Sequence, residues 1–212
     1  VAPKVKTDLT TLGSVFPSNS YHPALVHPVQ RNCWYFIGFC IVLPKHECQK
    51  GVTIGATMRI TGKVSSGLGR AHVFMAQMHY QDQFQSLMGT SVWPGTLNLN
   101  VSDNNLRDYI ALRLKSGIDT LDASSELIDS AKGIDISHIE SHRIRGFLRD
   151  GVSFGGATAF RAKFHAKEDS VECAVLIPDL TRHYDVVEII SAKFLREHFS
   201  LIDGDVVSIE LI

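Results

Sequence analysis

Thr96 and Asn98 stand two residues apart, directly after the turn Trp93-Pro94-Gly95. They belong to the run Thr96-Leu97-Asn98-Leu99-Asn100-Val101, in which polar and apolar residues alternate without a break. Alternation of period two is the mark of a half-buried strand, so the hydroxyl and the carboxamide share one face and Leu97, Leu99 and Val101 the other. Two neutral oxygens so arranged can ligate a hard cation, and they are equally what the solvent face of an ordinary strand presents. Glu188, in Val186-Val187-Glu188-Ile189-Ile190, lies on the face opposite Val187 and Ile189. Its carboxylate can accept hydrogen bonds from a ligand, or it can protect an edge strand from aggregation. Ser66-Gly67-Leu68-Gly69 follows a strand-like run and can turn backbone N–H groups toward a phosphate. It completes neither the Walker pattern nor the dinucleotide fingerprint, and a plain β-turn accounts for it as well. Lys193-Phe194-Leu195-Arg196-Glu197 sets two cations beside a helix start, which suits a phosphate or base contact or a solvated basic face. HExxH does not occur.

The elements that must carry these residues are mostly short strands. Met58–Val64 alternates, Ala159–His165 and Ser170–Ile177 pair around Lys167-Glu168-Asp169, and Val186–Ile190 and Val206–Ile212 are further strands. His142–Leu148 reads as one strand, followed by a hairpin-type turn at Asp150-Gly151 and a glycine pair, Gly155-Gly156, that permits close backbone approach. Gln81–Met88 is a short amphipathic helix stopped by Gly89. Lys193–Phe199 makes one or two helical turns. Leu106–Leu114 and Ser125–Ala131 are weakly helical, and 103–142 is polar enough to read as an insertion on a rim. Closely spaced turn signals and few long helices predict a mainly β domain, a small barrel. Residues 1–32 carry four prolines and show no helical period, so they are expected to form an extended or poorly ordered arm. Cys33–Leu43 is a buried strand or docking segment, and Pro44–Gly51 a polar break.

The chain has 212 residues, a formal net charge of -1 and 44% hydrophobic residues, an ordinary balance for a globular protein. Near-zero charge without a basic stripe argues against a nucleic-acid partner. The run Cys33–Leu43 is too short to span a bilayer and has no basic region before it, so neither a membrane span nor a signal peptide is expected, and a cytoplasmic location follows. Cys33, Cys40 and Cys48 cluster with His46, but their spacing does not fit the usual zinc sites; free, mostly buried thiols are the expectation.

Taken in order, five stretches resemble the archaeal CTP-dependent riboflavin kinase family. They are Gly62-Lys63-Val64-Ser65-Ser66-Gly67-Leu68-Gly69, Pro94-Gly95-Thr96-Leu97-Asn98-Leu99, Arg149-Asp150-Gly151-Val152-Ser153-Phe154-Gly155-Gly156, Asp185-Val186-Val187-Glu188-Ile189-Ile190, and Leu195-Arg196-Glu197 followed by Asp203-Gly204-Asp205-Val206-Val207. The resemblance covers about residues 57–212. It implies a six-stranded cradle-loop Greek-key barrel with short helices and Mg²⁺-dependent transfer of the CTP γ-phosphate to the 5′-hydroxyl of riboflavin; residues 1–56 match nothing in the family and form an N-terminal extension of unassigned role. By the same resemblance Thr96 and Asn98 would bind Mg²⁺. Gly67, Leu68, Gly69, Arg70, Ala71 and His72 would hold the nucleotide, with Lys193, Phe194, Leu195 and Arg196 closing from the other side. Thr181 and Glu188 would contact the flavin. Asn98 and Glu188 then form the catalytic pair, with Glu188 orienting the ribityl chain, because loose phosphoryl-transfer transition states need little help from a base. Arg70-Ala71-His72 departs from the family's usual loop. The same barrel kept as a non-catalytic flavin or nucleotide sensor is therefore the competing reading. Oligomeric state is not readable from the sequence.

Overall fold

The computed structural model describes residues 57–212 except Asp119, Leu121 and Arg182. The expectations for the arm, for Cys33–Leu43, for Pro44–Gly51 and for the cysteines grouped with His46 lie outside the described residues. In chain order the elements are β1 (Arg59–Ser65), α1 (Ala71–Met75), α2 (Met78–Met88), β2 (Leu97–Asn100), α3 (Asp103–Lys115), α4 (Ser125–Lys132) and β3 (His142–Ile144). They continue with β4 (Phe147–Arg149), β5 (Val152–Phe154), β6 (Ala157–Ala166), β7 (Asp169–Pro178), β8 (Val186–Ile190), α5 (Leu195–His198) and β9 (Val206–Leu211).

The main sheet runs β3-β6-β7-β8-β2-β1-β9, and a further pairing of β6 with β9 closes six of these strands into a barrel. Every pairing is antiparallel. The ten-residue β6 makes closure possible by dividing one edge: Ala157–Ala159 pairs with β3, and Ala162–His165 pairs with β9. The six-stranded barrel expected from the resemblance is thus present.

Alternation along the strands fills the interior. Ile60 and Val64, Leu97 and Leu99, Phe160 and Phe164, Val175 and Ile177, Val187 and Ile189, and Val207 and Ile209 all point inward. Gly62 occupies an inward position where a Cβ would stand 2.9 Å from the Asn100 carbonyl oxygen and 3.0 Å from Leu99 Cβ, so β1 and β2 can approach only because that side chain is missing. Cys173 is a free, buried thiol, and burial raises its pKa further, which keeps it unreactive.

A second layer packs on the outside of β6, β7 and β8. Met75, Tyr80, Phe84 and Val92 cover Ala157, Ala159, Ala174, Leu176 and Ile190. These strands are therefore apolar on both faces where the helices lie, and small alanines make room for Phe84 and Tyr80. Gly89, with φ +72°, ends α2 in the left-handed conformation that glycine tolerates.

Two expectations need correction. Residues 103–142 are not a rim decoration: Tyr109 and Leu112 of α3, and Ile139, are part of the barrel core. The helix reads weakly because Arg113 takes the place in the Leu106, Tyr109, Ile110 spacing where an apolar residue would complete the stripe, and that arginine is itself buried. His142–Leu148 is not one strand. It breaks between Ile144 and Phe147, because Gly146 passes so close to the backbone of Phe154, Gly155 and Gly156 that no Cβ would fit. Past the break, β4 and β5 form a hairpin whose turn residues Asp150 and Gly151 have φ +50° and +76°, the sign pattern of the tight hairpin turn.

Candidate active site

The register of three strands builds the centre. Asn98 of β2 lies directly opposite Glu188 of β8 and, on the other side, opposite Ser65 of β1. Directly opposed side chains on one face have Cβ atoms about 5 Å apart. Leu97 and Leu99 are buried in the barrel, so Asn98 must face outward, where it is half-buried. The Thr96 hydroxyl donates to Asn98 Oδ1 at 3.2 Å. The threonine and asparagine expected to share a face do so, and Glu188 joins them.

Glu188 is half-buried in β8. Burial pushes its pKa up to about 7. Desolvation penalises the charged form, and that sets the direction of the shift. The group can therefore hold or release a proton close to neutrality.

The glycine loop meets this centre at Gly67. A Cβ there would stand 2.6 Å from Asn98 Nδ2, so any larger residue in its place would push the carboxamide aside. Leu68 and Arg70 are exposed, Ala71 and His72 begin α1, and His72 Nδ1 lies 2.7 Å from the Gly69 carbonyl oxygen. Gly69 has φ +68°, a left-handed position that turns the loop.

Arg196 braces the loop from α5. Its Nη2 donates to the Ser65 carbonyl oxygen at 2.9 Å and to Asp203 Oδ1 at 2.7 Å. Hydrogen bonds from Ser66 and Arg196 hold the Asp203 carboxyl below the usual range. Lys193 is exposed, with Nζ 3.2 Å from His198 Nε2. Leu195 differs from its neighbours: its side chain is in the barrel core, so only its backbone faces outward. Thr96, Lys193, Phe194 and Arg196 line one cleft together with Trp93 and Ser191.

Thr181 lies half-buried in the connection between β7 and β8. That connection is tied at both ends. Arg143 of β3 donates to both Asp179 oxygens at 2.5 Å, and Gly156 gives this pair room. The buried guanidinium of Arg113 donates to the His183 carbonyl oxygen at 2.9 Å. Sequence reasoning missed Trp93, Ser191, Asp203 and both arginine ties. Trp93 carried the one local signal, an aromatic residue next to the Pro-Gly turn; the others depend on long-range contacts.

A family model named for CTP-dependent riboflavin kinase, with the description "Domain of unknown function DUF120", matches residues 64–126 and 120–211. The chain belongs to this family. Similar curated proteins are the riboflavin kinase of Thermoplasma acidophilum, 36% identical over 152 residues (72% of this chain and 56% of that protein), and that of Thermoplasma volcanium, 32% identical over 165 residues (78% and 62%). The riboflavin kinase of Sulfurisphaera tokodaii is 33% identical over 156 residues, covering 73% of this chain and 95% of that protein. The chain thus spans a little over half the length of the two Thermoplasma proteins and nearly all of the Sulfurisphaera one. Each of the five stretches that carry the resemblance falls wholly or largely within the matched residues. Among the described residues no helix is long and apolar enough to cross a membrane.

Proposed function

We propose that this chain is a riboflavin kinase that transfers the γ-phosphate of CTP to the 5′-hydroxyl of riboflavin, giving FMN and CDP. The observation that supports it most is the juxtaposition of Thr96, Asn98 and Glu188 on one outward face, with Gly67 against the Asn98 carboxamide.

The donor set suits Mg²⁺. Thr96 and Asn98 offer a hydroxyl and a carbonyl oxygen, and among the described residues no group of three or more His, Cys, Asp or Glu side chains forms a dedicated metal cage. Mg²⁺ commonly takes few protein oxygens and keeps phosphate and water ligands. When bound, the ion would neutralise charge on the donor phosphates. With two neutral protein ligands, affinity for the ion in the absence of nucleotide is expected to be weak.

The chain's own residues then have defined tasks. The loop Gly67–His72 cradles the donor phosphates with backbone N–H groups, and Lys193 and Arg196 supply positive charge on the opposite wall. Thr181 and Glu188 hold the acceptor. In the reaction the bond from the γ-phosphorus to the β-bridging oxygen breaks, its electron pair leaving with CDP, and a bond to the riboflavin O5′ forms. The hydroxyl proton passes to Glu188 or to solvent. Orientation of the hydroxyl by the Glu188 carboxylate is its main contribution, since positioning dominates phosphoryl transfer.

Incubation with riboflavin, Mg²⁺ and either CTP or ATP, with FMN read by chromatography, tests the proposal. FMN is expected with CTP. Riboflavin binding with no FMN from either donor would favour the sensor reading. Asn98→Ala should lower kcat about 100-fold or more while leaving the thermal midpoint nearly unchanged, as the loss of one preorganised polar group at a reacting centre does; full activity in that variant would overturn the metal assignment.

A further inference from the structure

Trp93 and Phe194 come from segments far apart in the chain and meet at the cleft. Their rings are nearly parallel, 16° apart, with centroids separated by 5.0 Å. Both stay open to solvent, Trp93 at 45% and Phe194 at 40% exposure. Neither belongs to the barrel core or to the helical layer outside it.

Trp93 is nevertheless well fixed. Its backbone N–H donates to the Ser191 carbonyl oxygen at 2.8 Å. Its indole lies along the Pro94-Gly95 turn, where a Cβ on Gly95 would stand 3.5 Å from both Cδ1 and Nε1. The ring is therefore held at a set position one turn away from Thr96, and in the same cleft as Lys193 and Arg196.

A rigid, exposed aromatic face beside two cations and a hydroxyl matches the chemistry of a nucleoside phosphate. The cations take the phosphates, and the flat ring takes the base. Stacking asks only for a π-face, so it adds affinity without reading the hydrogen-bonding edge of the base. A flavin is also planar, but riboflavin carries no phosphate for Lys193 and Arg196 to hold, so the cleft favours the donor.

We propose that Trp93, backed by Phe194, is the platform on which the base of the nucleotide donor stacks. This rests on the reading of the cleft as the nucleotide site. A donor-binding residue is thereby added outside the glycine loop and the Lys193–Arg196 segment.

Titration calorimetry on the full chain with Mg²⁺ tests it, using CDP, inorganic tripolyphosphate and riboflavin in turn. In Trp93→Ala, CDP should bind about tenfold more weakly, the loss expected for one stacked base. Tripolyphosphate, which has no base, and riboflavin should each stay within about twofold of wild type by the same reasoning. Trp93→Phe should recover most of the CDP affinity. CDP should quench the indole emission that Trp93→Phe removes, and tripolyphosphate should not. Equal losses for CDP and tripolyphosphate would mean that Trp93 only shapes the cleft, and a loss confined to riboflavin would make the platform a flavin site; either overturns the proposal. CDP affinity indifferent to Trp93 overturns it alone, whereas failure of the wild type to bind CDP overturns the nucleotide reading along with it.

Discussion

Replacing Glu188 by Gln should make the protein more stable at alkaline pH, and the size of the gain can be worked out. The ordinary value for this carboxyl is 4.5, and in the folded protein burial raises it to about 7. Between those values the folded state holds a proton that the unfolded chain has released. The unfolded state binds fewer protons, so stability falls as pH rises through this window. Below 4.5 both states are protonated and the cost vanishes; above 7 both are ionised and the cost is complete, about 3 kcal/mol at about 1.4 kcal/mol per tenfold. Glu188 retains some solvent contact, so this figure is a ceiling. Glutamine keeps the shape and does not titrate. Urea unfolding of the ligand-free wild type and Glu188→Gln at pH 5 and pH 8 measures the difference, and the other titrating groups cancel between the two proteins. The stability of the variant relative to wild type should grow by up to about 2.5 kcal/mol between these pH values. A relative stability that stays constant to within about 0.5 kcal/mol, a fraction of the expected difference, would refute the idea that Glu188 is desolvated in the folded protein. In turnover, the rising limb of kcat/KM near pH 7 in the wild type should be absent from the variant.

Gly67→Ala places a methyl group 2.6 Å from Asn98 Nδ2. It should lower kcat about tenfold or more by displacing the carboxamide, since small misplacements at reacting centres are costly, and the unfolding midpoint in urea should barely move; unchanged kcat would show that the loop yields instead. Asp179→Asn removes the bidentate partner of Arg143 and loosens the connection that carries Thr181. Steady-state kinetics should show the riboflavin KM rising several-fold with the donor KM unchanged. The stability loss should stay below about 1 kcal/mol, because Arg143 is half exposed. A parallel rise in both KM values would count against a local role for this tie.

What the sequence discloses depends on the range of the interaction involved. Alternation from Thr96 to Val101 is local, and it correctly put Thr96 and Asn98 outward with Leu97 and Leu99 in the core. The same reasoning gave Glu188 its face. That Asn98 and Glu188 stand opposite each other depends on how β2 and β8 pair, which no single stretch encodes. The contact between Gly67 and Asn98 is of the same kind. Helix α3 stayed obscure for a different reason. Its apolar stripe is interrupted by Arg113, whose charge suggests a surface but whose guanidinium is spent inside, on the carbonyl of His183. The break after Ile144 had a single local marker, Gly146, and its meaning appeared only with the backbone of Phe154–Gly156 lying across it. The five-stretch resemblance reached the barrel before these contacts were visible, because relatives share the sequence signs of a common fold.

The closure of the barrel sets the order in which this domain can be made. Strand β9 comes after every other described strand, yet it is the stave between β1 and β6, pairing Arg59–Lys63 on one side and Ala162–His165 on the other. Until it is in place, two strand edges stand open, and open edges recruit other chains. During synthesis the other staves must therefore wait, unsealed, until Leu211 has cleared the ribosome. A pairing that spans nearly the whole described chain is also slow to find. Chains stalled or clipped within Val206–Leu211 should accumulate as sticky, unclosed sheets.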